Sequence, residues 1–249
     1  PIRFSANFKP LKMKIGLLGY GKMGKAIEKI ALERGHEIVL KINAANQNSL
    51  NSKSFDQVDV AIEFSLPNTA QHNIEQALHT NTPVVSGTTG WLKNLNEVHH
   101  LCTNKNSAFL YASNFSLGVN LFFELNKKLA KLMAKHPTYE ASIKEIHHSQ
   151  KLDAPSGTAI SLADQIITTT EQKDQWVLNT SESKNELAIE ALREDGVPGT
   201  HLVSYQSEVD TLSIKHVAHS RNGFALGAVV AAEWILNKKG LFSMKDVLF

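Results

Sequence analysis

Two adjacent histidines, a lysine and a Pro-Ser-Gly-Thr turn crowd into one short stretch, Glu145-Ile-His-His-Ser-Gln-Lys-Leu-Asp-Ala-Pro-Ser-Gly-Thr158. An imidazole titrates near neutral pH and can hand over or accept a proton, and a lysine ammonium attracts a carboxylate. A turn that opens a helix presents unsatisfied N–H groups at its positive dipole end, which favours an anion. Together His147, His148, Lys151 and the amides of Ser156, Gly157 and Thr158 suit a small carboxylate substrate that must gain or lose a proton. A His-His pair by itself is more often a surface or structural feature, and His99-His100, in a plain amphipathic helix with no lysine or glycine turn beside it, reads as surface. No metal is expected: the single cysteine is Cys102, and neither a His-x-x-x-His spacing nor a carboxylate cluster accompanies Glu145.

These residues need elements to hold them. Alternation over residues 139–147 predicts a strand that ends at the histidines and turns them to opposite faces. Lys151 follows on a loop, and the apolar spacing of Ala159, Ile160, Leu162, Ala163, Ile166 and Ile167 predicts a helix over about residues 158–169.

A second motif lies near the start. A short apolar strand over residues 14–18 runs into Gly19-Tyr20-Gly21-Lys22-Met23-Gly24, then a helix over about 22–34 and a strand over 37–42. Gly-x-Gly-x-x-Gly between a strand and a helix is a dinucleotide-binding arrangement: the first glycine makes the tight turn, the second lets backbone approach a pyrophosphate, and the third lets helix and strand pack closely. The ribose-binding acid expected at the end of the second strand is replaced by Asn43, preceded by Lys41. Asparagine can bond a ribose hydroxyl without repelling a 2′-phosphate, so NADH and NADPH are both expected as cofactors. Strands over 58–64, 83–86 and 108–112 alternate with helices over 69–79 and 92–103, which implies a Rossmann-type, doubly wound parallel sheet. Ligands of such sheets lie beyond the carboxyl ends of the strands. There stand Gly87-Thr88-Thr89 and Ala112-Ser113-Asn114-Phe115.

Beyond residue 116 the pattern changes. An amphipathic helix over 117–135, with Leu121, Phe122, Leu125, Leu129, Leu132 and Met133 as its apolar stripe, precedes the histidine strand. Strands over 187–193, 200–205 and 211–219 follow in succession, and residues 174–186 read as a polar loop. The whole is an α/β chain: the parallel domain plus a second, α+β domain with a mixed or antiparallel sheet under helices. A final helix over 224–236, apolar almost all round, is expected to be buried on return to the first domain. The predicted division is 13–118 with 221–249 for the dinucleotide, and 119–220 for the substrate. Residues 1–12 read as a leader or extension outside the fold, with Met13 as a natural start.

Composition excludes several classes. With 42% apolar and 20% charged residues the chain is an ordinary globular protein, and a net charge of +2 leaves no nucleic-acid or membrane footprint. One cysteine fits a reducing cytoplasm.

The stretch from Glu145 to Ala159 resembles the substrate-site signature of the dihydrodipicolinate reductase (4-hydroxy-tetrahydrodipicolinate reductase) family. Arg193-Glu-Asp-Gly-Val-Pro-Gly-Thr-His201 and His219-Ser-Arg-Asn-Gly-Phe-Ala-Leu-Gly-Ala228 resemble it too, so the similarity runs from about Met13 to the end. The resemblance implies an NAD(P)H-dependent oxidoreductase of lysine and diaminopimelate biosynthesis, reducing a small dicarboxylate as a homotetramer. It implies His147 as general acid with Lys151 beside it as proton donor and carboxylate partner. His148, Ser156, Gly157 and Thr158 become substrate contacts. Gly19, Tyr20, Gly21, Lys22, Met23, Gly24, Asn43, Gly87, Thr88, Thr89, Ala112, Ser113, Asn114 and Phe115 become cofactor contacts. His201, His216 and Arg221 could reach the site, though packing or sheet pairing is the default reading of each. Another two-domain amino-acid or hydroxy-acid dehydrogenase is the alternative enzyme, whose lysine or histidine would sit in a different motif; a nucleotide-sensing regulatory module is the alternative outside catalysis, with no need for His147, Lys151 and a helix-borne anion site together.

Overall fold

The structure, a computed structural model, describes residues 12–220 and 222–249. The extension expected over residues 1–12 thus falls, except for Lys12, outside the described residues, as does Arg221. By its internal contacts the chain forms two compact units, one comprising the described residues through Leu117 together with Asn222–Phe249, the other running from Gly118 to Ser220.

In the first unit β1 (Lys14–Leu18), β2 (Glu37–Ile42), β3 (Val60–Glu63), β4 (Val84–Ser86) and β5 (Ala108–Tyr111) alternate with α1 (Lys22–Glu33), α2 (Pro67–His79) and α3 (Leu95–Asn104). The central strands β1, β3, β4 and β5 are buried almost throughout, the near-continuous apolar character of a parallel sheet covered on both faces. The sheet order is β11-β5-β4-β3-β1-β2, all pairs parallel, where β11 is Gly240–Phe242. Sequence patterning does not reveal β11 or the closing helix α7 (Met244–Leu248), because three and five residues are too few to show a period. The helix over Asn222–Ile235, α6, belongs to this unit. Its Ala225, Gly227, Ala228, Val229, Ala231, Ala232 and Ile235 are buried against the sheet and α1. Glu233 on this apolar helix is tied by Arg34, at 2.7 Å to each oxygen, and by His36 Nε2 at 2.8 Å.

The second unit carries α4 (Leu117–Met133), β6 (Glu140–His147), α5 (Gly157–Ile167), β7 (Gln175–Leu178), β8 (Glu186–Arg193), β9 (Thr200–Gln206) and β10 (Thr211–Val217). Its sheet, ordered β10-β9-β6-β8-β7, is mixed: β6 and β7 run parallel to β8, and β9 runs antiparallel to β6 and β10. Two expectations are corrected here. Residues 174–186 hold the strand β7, too short to show alternation but supplied with a ladder by β8. The buried stripe of α4 is Val119, Phe122, Asn126, Ala130 and Met133, whereas Leu121, Leu125 and Leu132 are exposed. Both phasings repeat at helical spacing, and only the neighbouring α5 and sheet select between them. Phe122, Ala130 and Met133 pack with Ala159, Leu162, Ala163 and Ile166 of α5 over Ala141, Ile143, Leu187, Ile189, Val203 and Tyr205 of the sheet.

Candidate active site

In the first unit the three loop glycines occupy three different environments. Gly19 has φ +104°, and a Cβ there would stand 2.1 Å from the Phe64 carbonyl oxygen. A Cβ on Gly24 would stand 2.5 Å from the Gly19 carbonyl oxygen, so α1 can start this close to β1 only with glycine. Gly21 is different: a Cβ there would meet nothing within 4 Å. The open side is where backbone would approach a pyrophosphate, so the loop fits a dinucleotide position by position. Lys22, the first residue of α1, is exposed beside it, and Met23 packs against the core.

The Gly19 and Tyr20 amides both donate to the Ile42 carbonyl, at 2.9 and 2.6 Å, which ties the loop to the end of β2. Asn43 and Asn46 there form a reciprocal pair. Asn43 Oδ1 accepts from the Ala45 and Asn46 amides at 2.8 and 3.3 Å, and Asn46 Oδ1 accepts from the Asn43 amide at 2.7 Å. With its oxygen engaged, Asn43 is left with its amide NH2 as a donor. The nearby Lys41 ammonium lies 2.5 Å from Glu28 and 4.9 Å from the centre of the Tyr20 ring, while the Tyr20 hydroxyl bonds Glu28.

At the ends of β4 and β5, Gly87 leaves room for the Phe64 ring, 2.3 Å from where its Cβ would be. Thr88 is buried with its hydroxyl on Glu63, and Thr89 is exposed. Phe115 is buried against Phe64, with ring centroids 5.4 Å apart, so its side chain belongs to the core. Ala112 and Asn114 are half-buried, Ser113 is exposed, and Asn114 Oδ1 accepts from the Ser116 amide at 2.9 Å.

In the second unit, the pleat of β6 puts Glu145 and His147 on the covered side of the sheet, both buried, and leaves His148 just past the strand end, half-buried. Glu145 Oε1 accepts from the Ser156 amide at 3.0 Å and lies 3.4 Å from both terminal nitrogens of Arg193; Oε2 lies 3.3 Å from His147 Nδ1 and 3.7 Å from His201 Nε2. Burial pushes the Glu145 carboxyl up, but bonds from His147 and Ser156 with the charge of His147 outweigh it, and the group falls to about 2. His201 goes the other way from an ordinary imidazole: burial, then the nearby His147, lower it to about 4. The His147 and His201 rings meet edge-on at 5.0 Å. Gly199 closes over His147; a Cβ there would be 3.1 Å from Nε2.

Among the described residues no second carboxylate joins Glu145, but two histidines do. Glu145, His147 and His201 have the identity and proximity of metal ligands. Arg193 and Ser156 hold Oε1, while Oε2 faces the two imidazoles, so the set is a carboxylate anchored on one oxygen and turned to two histidines with the other. Sequence reading left His201 among packing and gave Arg193 no role of its own, whereas the structure sets both against Glu145. Their signal was present in the motif from Arg193 to His201, but that motif shows its purpose only when β8 and β9 flank β6, with Glu145 opposite His201 and His147 opposite Arg193. His216, opposite His201 on β10, is half-buried beside Phe122.

Lys151 points its ammonium at Asp153, 2.7 Å from each oxygen, and that pairing holds the Asp153 carboxyl below its usual range. Arg193 also donates to the carbonyls of Lys151 and Asp153, at 3.3 and 2.6 Å, so it braces the lysine loop as well. Ser156 caps α5 through the Ala159 amide at 3.2 Å and approaches His201 Nε2 at the same distance. Its own groups are turned inward. Gly157 is exposed with open space at its Cβ position, and Thr158 is half-buried beside it, so the mouth of this helix end is formed by these two.

Models of the family described as dihydrodipicolinate reductase match the chain at residues 13–115 for the N-terminal part and 118–248 for the C-terminal part. A 4-hydroxy-tetrahydrodipicolinate reductase of Christiangramia forsetii is 52% identical over 237 residues, 95% of this chain and 98% of that one. One of Thermosipho africanus is 34% identical over 241 residues, with the same coverage of 95% and 98%. Among solved structures, a dipicolinate-bound dihydrodipicolinate reductase from Paenisporosarcina sp. TG-14 superposes with a TM-score of 0.75 over 94% of this chain and 98% of its own, at 23% identity; at that identity it speaks for the fold.

Proposed function

The chain belongs to the dihydrodipicolinate reductase family, and from that premise we propose that it reduces 4-hydroxy-tetrahydrodipicolinate to tetrahydrodipicolinate with NADH or NADPH, in lysine and diaminopimelate biosynthesis. The observation that carries the reading is the braced His147, fixed between Glu145, His201 and Gly199 one loop from a helix N-terminus. When bound, the reduced nicotinamide supplies the hydride. The first unit would hold it through the loop from Gly19 to Gly24, Asn43 and the loops at Gly87 and Ala112.

In the second unit, His147 gives a proton to the ring carbon, and the reaction runs with net loss of water. Glu145, 3.3 Å from Nδ1, orients the ring, and Nε2 is the atom left for the substrate. Lys151, released from Asp153, pairs with one carboxylate; its charge suits that task better than proton donation, since an ordinary lysine titrates near ~10.4. His148 and the Gly157–Thr158 helix end bind the dicarboxylate, aided by the helix dipole.

The homotetramer also belongs to this proposal. The sheet of the second unit has helices on one face; on its other face Ile146 stands opposite Leu192, and Leu202 opposite Lys144, which leaves that face for a second sheet. So does the cytoplasmic location. Among the described residues no helix is long and apolar enough to cross a membrane.

The test is the loss of nicotinamide absorbance with NADH and NADPH in turn, using freshly condensed pyruvate and aspartate semialdehyde. Turnover with either cofactor supports the reading; none with either, in protein that binds NADH, overturns it. Lys151→Ala is expected to harm both turnover and dicarboxylate binding.

A further inference from the structure

Besides Glu145, the described residues hold one more fully buried carboxylate, Glu63 at the end of β3. Its Oε1 accepts from the Ser65 amide at 2.9 Å, the Ser65 hydroxyl at 2.5 Å and the Thr88 hydroxyl at 2.8 Å; Oε2 accepts from the Ser86 hydroxyl at 2.7 Å. Burying a carboxylate is costly unless its lone pairs are answered, and bonds to a carboxylate are about twice as strong as neutral ones. Four such bonds hold three side chains that would otherwise be free rotors.

The bonds do not serve β3 alone. Thr88 Oγ1 also accepts from the Ser65 amide at 2.8 Å, and the Thr88 carbonyl accepts from Trp91 Nε1 at 2.8 Å. Ser65 Oγ accepts from Thr69 at 3.1 Å and from Asn73 Nδ2 at 3.2 Å, and Asn73 Oδ1 accepts from Gln47 Nε2 at 2.6 Å. The network thus runs from the loop after β2 to the loop after β4. Between them the backbone of Phe64 and Ser65 lies directly beneath Gly19, whose Cβ would be 2.6 Å from the Ser65 nitrogen. Through Ser65 and Thr88 this one side chain is linked to three of the four loops to which the nucleotide reading assigns cofactor contacts, those after β1, β2 and β4.

We propose that Glu63 is a positioning residue for the cofactor, which it does not touch: it locks Ser65, Ser86 and Thr88 so that the glycine loop and the loop of Gly87–Thr89 keep one spacing. Thr88 is then a strut whose hydroxyl and carbonyl are both engaged, and Gly87 and Thr89 are left to face the nicotinamide end. This rests on the reading of the first unit as the nucleotide site. An apolar residue would fill the same volume in this sheet without needing four donors, and every donor that Glu63 uses belongs to a strand end or loop on the ligand side.

The test measures NADH affinity by fluorescence titration, beside steady-state kinetics and thermal unfolding, in the native protein, Glu63→Gln, Thr88→Val and Thr88→Ser. Glutamine replaces one acceptor oxygen by a donor, so at least one of the four bonds is lost. Expected is an NADH Kd about tenfold higher in Glu63→Gln and Thr88→Val, since a lost bond to a charged acceptor is worth about that factor or more. KM for NADH rises with it, whereas KM for the dicarboxylate stays within about twofold. Thr88→Ser, which keeps the hydroxyl, loses less than Thr88→Val. A role in stability alone would lower the unfolding temperature and leave NADH affinity in the folded fraction unchanged. If Glu63→Gln does not fold, Thr88→Val decides. An NADH Kd within twofold of native in the folded variants overturns the proposal; a native protein that does not bind NADH overturns the nucleotide reading itself.

Discussion

Glu63 and Glu145 are both fully buried carboxylates near the carboxyl end of a strand, yet their partners differ in kind. Glu63 is answered by three hydroxyls and an amide, groups that do not titrate near neutrality. Glu145 is answered by an arginine, an amide and two imidazoles. The first set can only fix geometry. The second fixes geometry around imidazoles, groups that can themselves take up and hand over a proton. A buried acid is therefore not a functional label by itself; its partners decide whether it braces or takes part in proton transfer.

The sharpest test of that contrast is on the histidine side. His147→Ala is expected to lower turnover by ~10² to 10⁴, the usual worth of a positioned acid, with NADH affinity unmoved; steady-state kinetics with both cofactors would show it, and native-like turnover would refute the proton-donor role. Next comes Glu145→Gln. It leaves Arg193 and the His147 ring without the carboxylate they face, so turnover should drop about tenfold to a hundredfold while KM for NADH holds. The mirror image of Glu63→Gln is the point: should Glu145→Gln instead act on NADH affinity, the two carboxylates would not be specialised as argued.

Stability against pH probes the Glu145 cluster itself. His201 is lowered from 6.5 to about 4 in the folded protein, so between those values the unfolded chain binds the extra proton and stability falls as pH falls from about 6.5 toward 4. Glu145, lowered from 4.5 to about 2, adds stability above 4.5 that disappears as pH falls from about 4.5 to 2. Unfolding temperature against pH should therefore descend in two overlapping steps, and His201→Gln should flatten the upper one. A descent from 6.5 to 4 unchanged by that substitution would break the assignment.

The smallest expected effect is at the adenosine end. Asn43→Asp should shift preference toward NADH by several-fold, since a carboxylate repels a 2′-phosphate across partly screened solvent. Equal NADH and NADPH efficiencies in both variants would show that Asn43 has no such role. Gly21→Ala sharpens the neighbouring loop: with nothing within 4 Å of the added methyl, folding should be unaffected and NADH binding weakened, whereas Gly19→Ala, at φ +104° and 2.1 Å from a carbonyl oxygen, should damage folding itself. Thermal unfolding and NADH titration of the pair distinguish the two.

Much of this was legible without coordinates, and the reason is that local spacing carries it. A glycine pattern between a strand and a helix, a histidine pair at a strand end and a turn opening a helix are each contained in a few consecutive residues, so periodicity and turn chemistry specify β1, α1, β6 and α5 almost to the residue. What local spacing cannot hold is register and partnership. That Glu145 stands opposite His201 depends on β9 pairing antiparallel with β6, which no short stretch of either strand announces. Whether Leu121 or Phe122 is buried depends on where α4 meets α5 and the sheet, and β7 and β11 are strands only because a neighbour offers them a ladder. Glu63 is the clearest instance. In sequence it is a polar residue ending an apolar run, and only the parallel order β4-β3-β1 brings Ser86, Thr88 and the glycine loop around it. The sequence by itself determined which chemistry-bearing side chains stand together in each motif, because side-chain type and neighbouring turns are local; the tertiary structure alone decided which buried groups hold them in place, because that depends on pairings between strands distant in the chain.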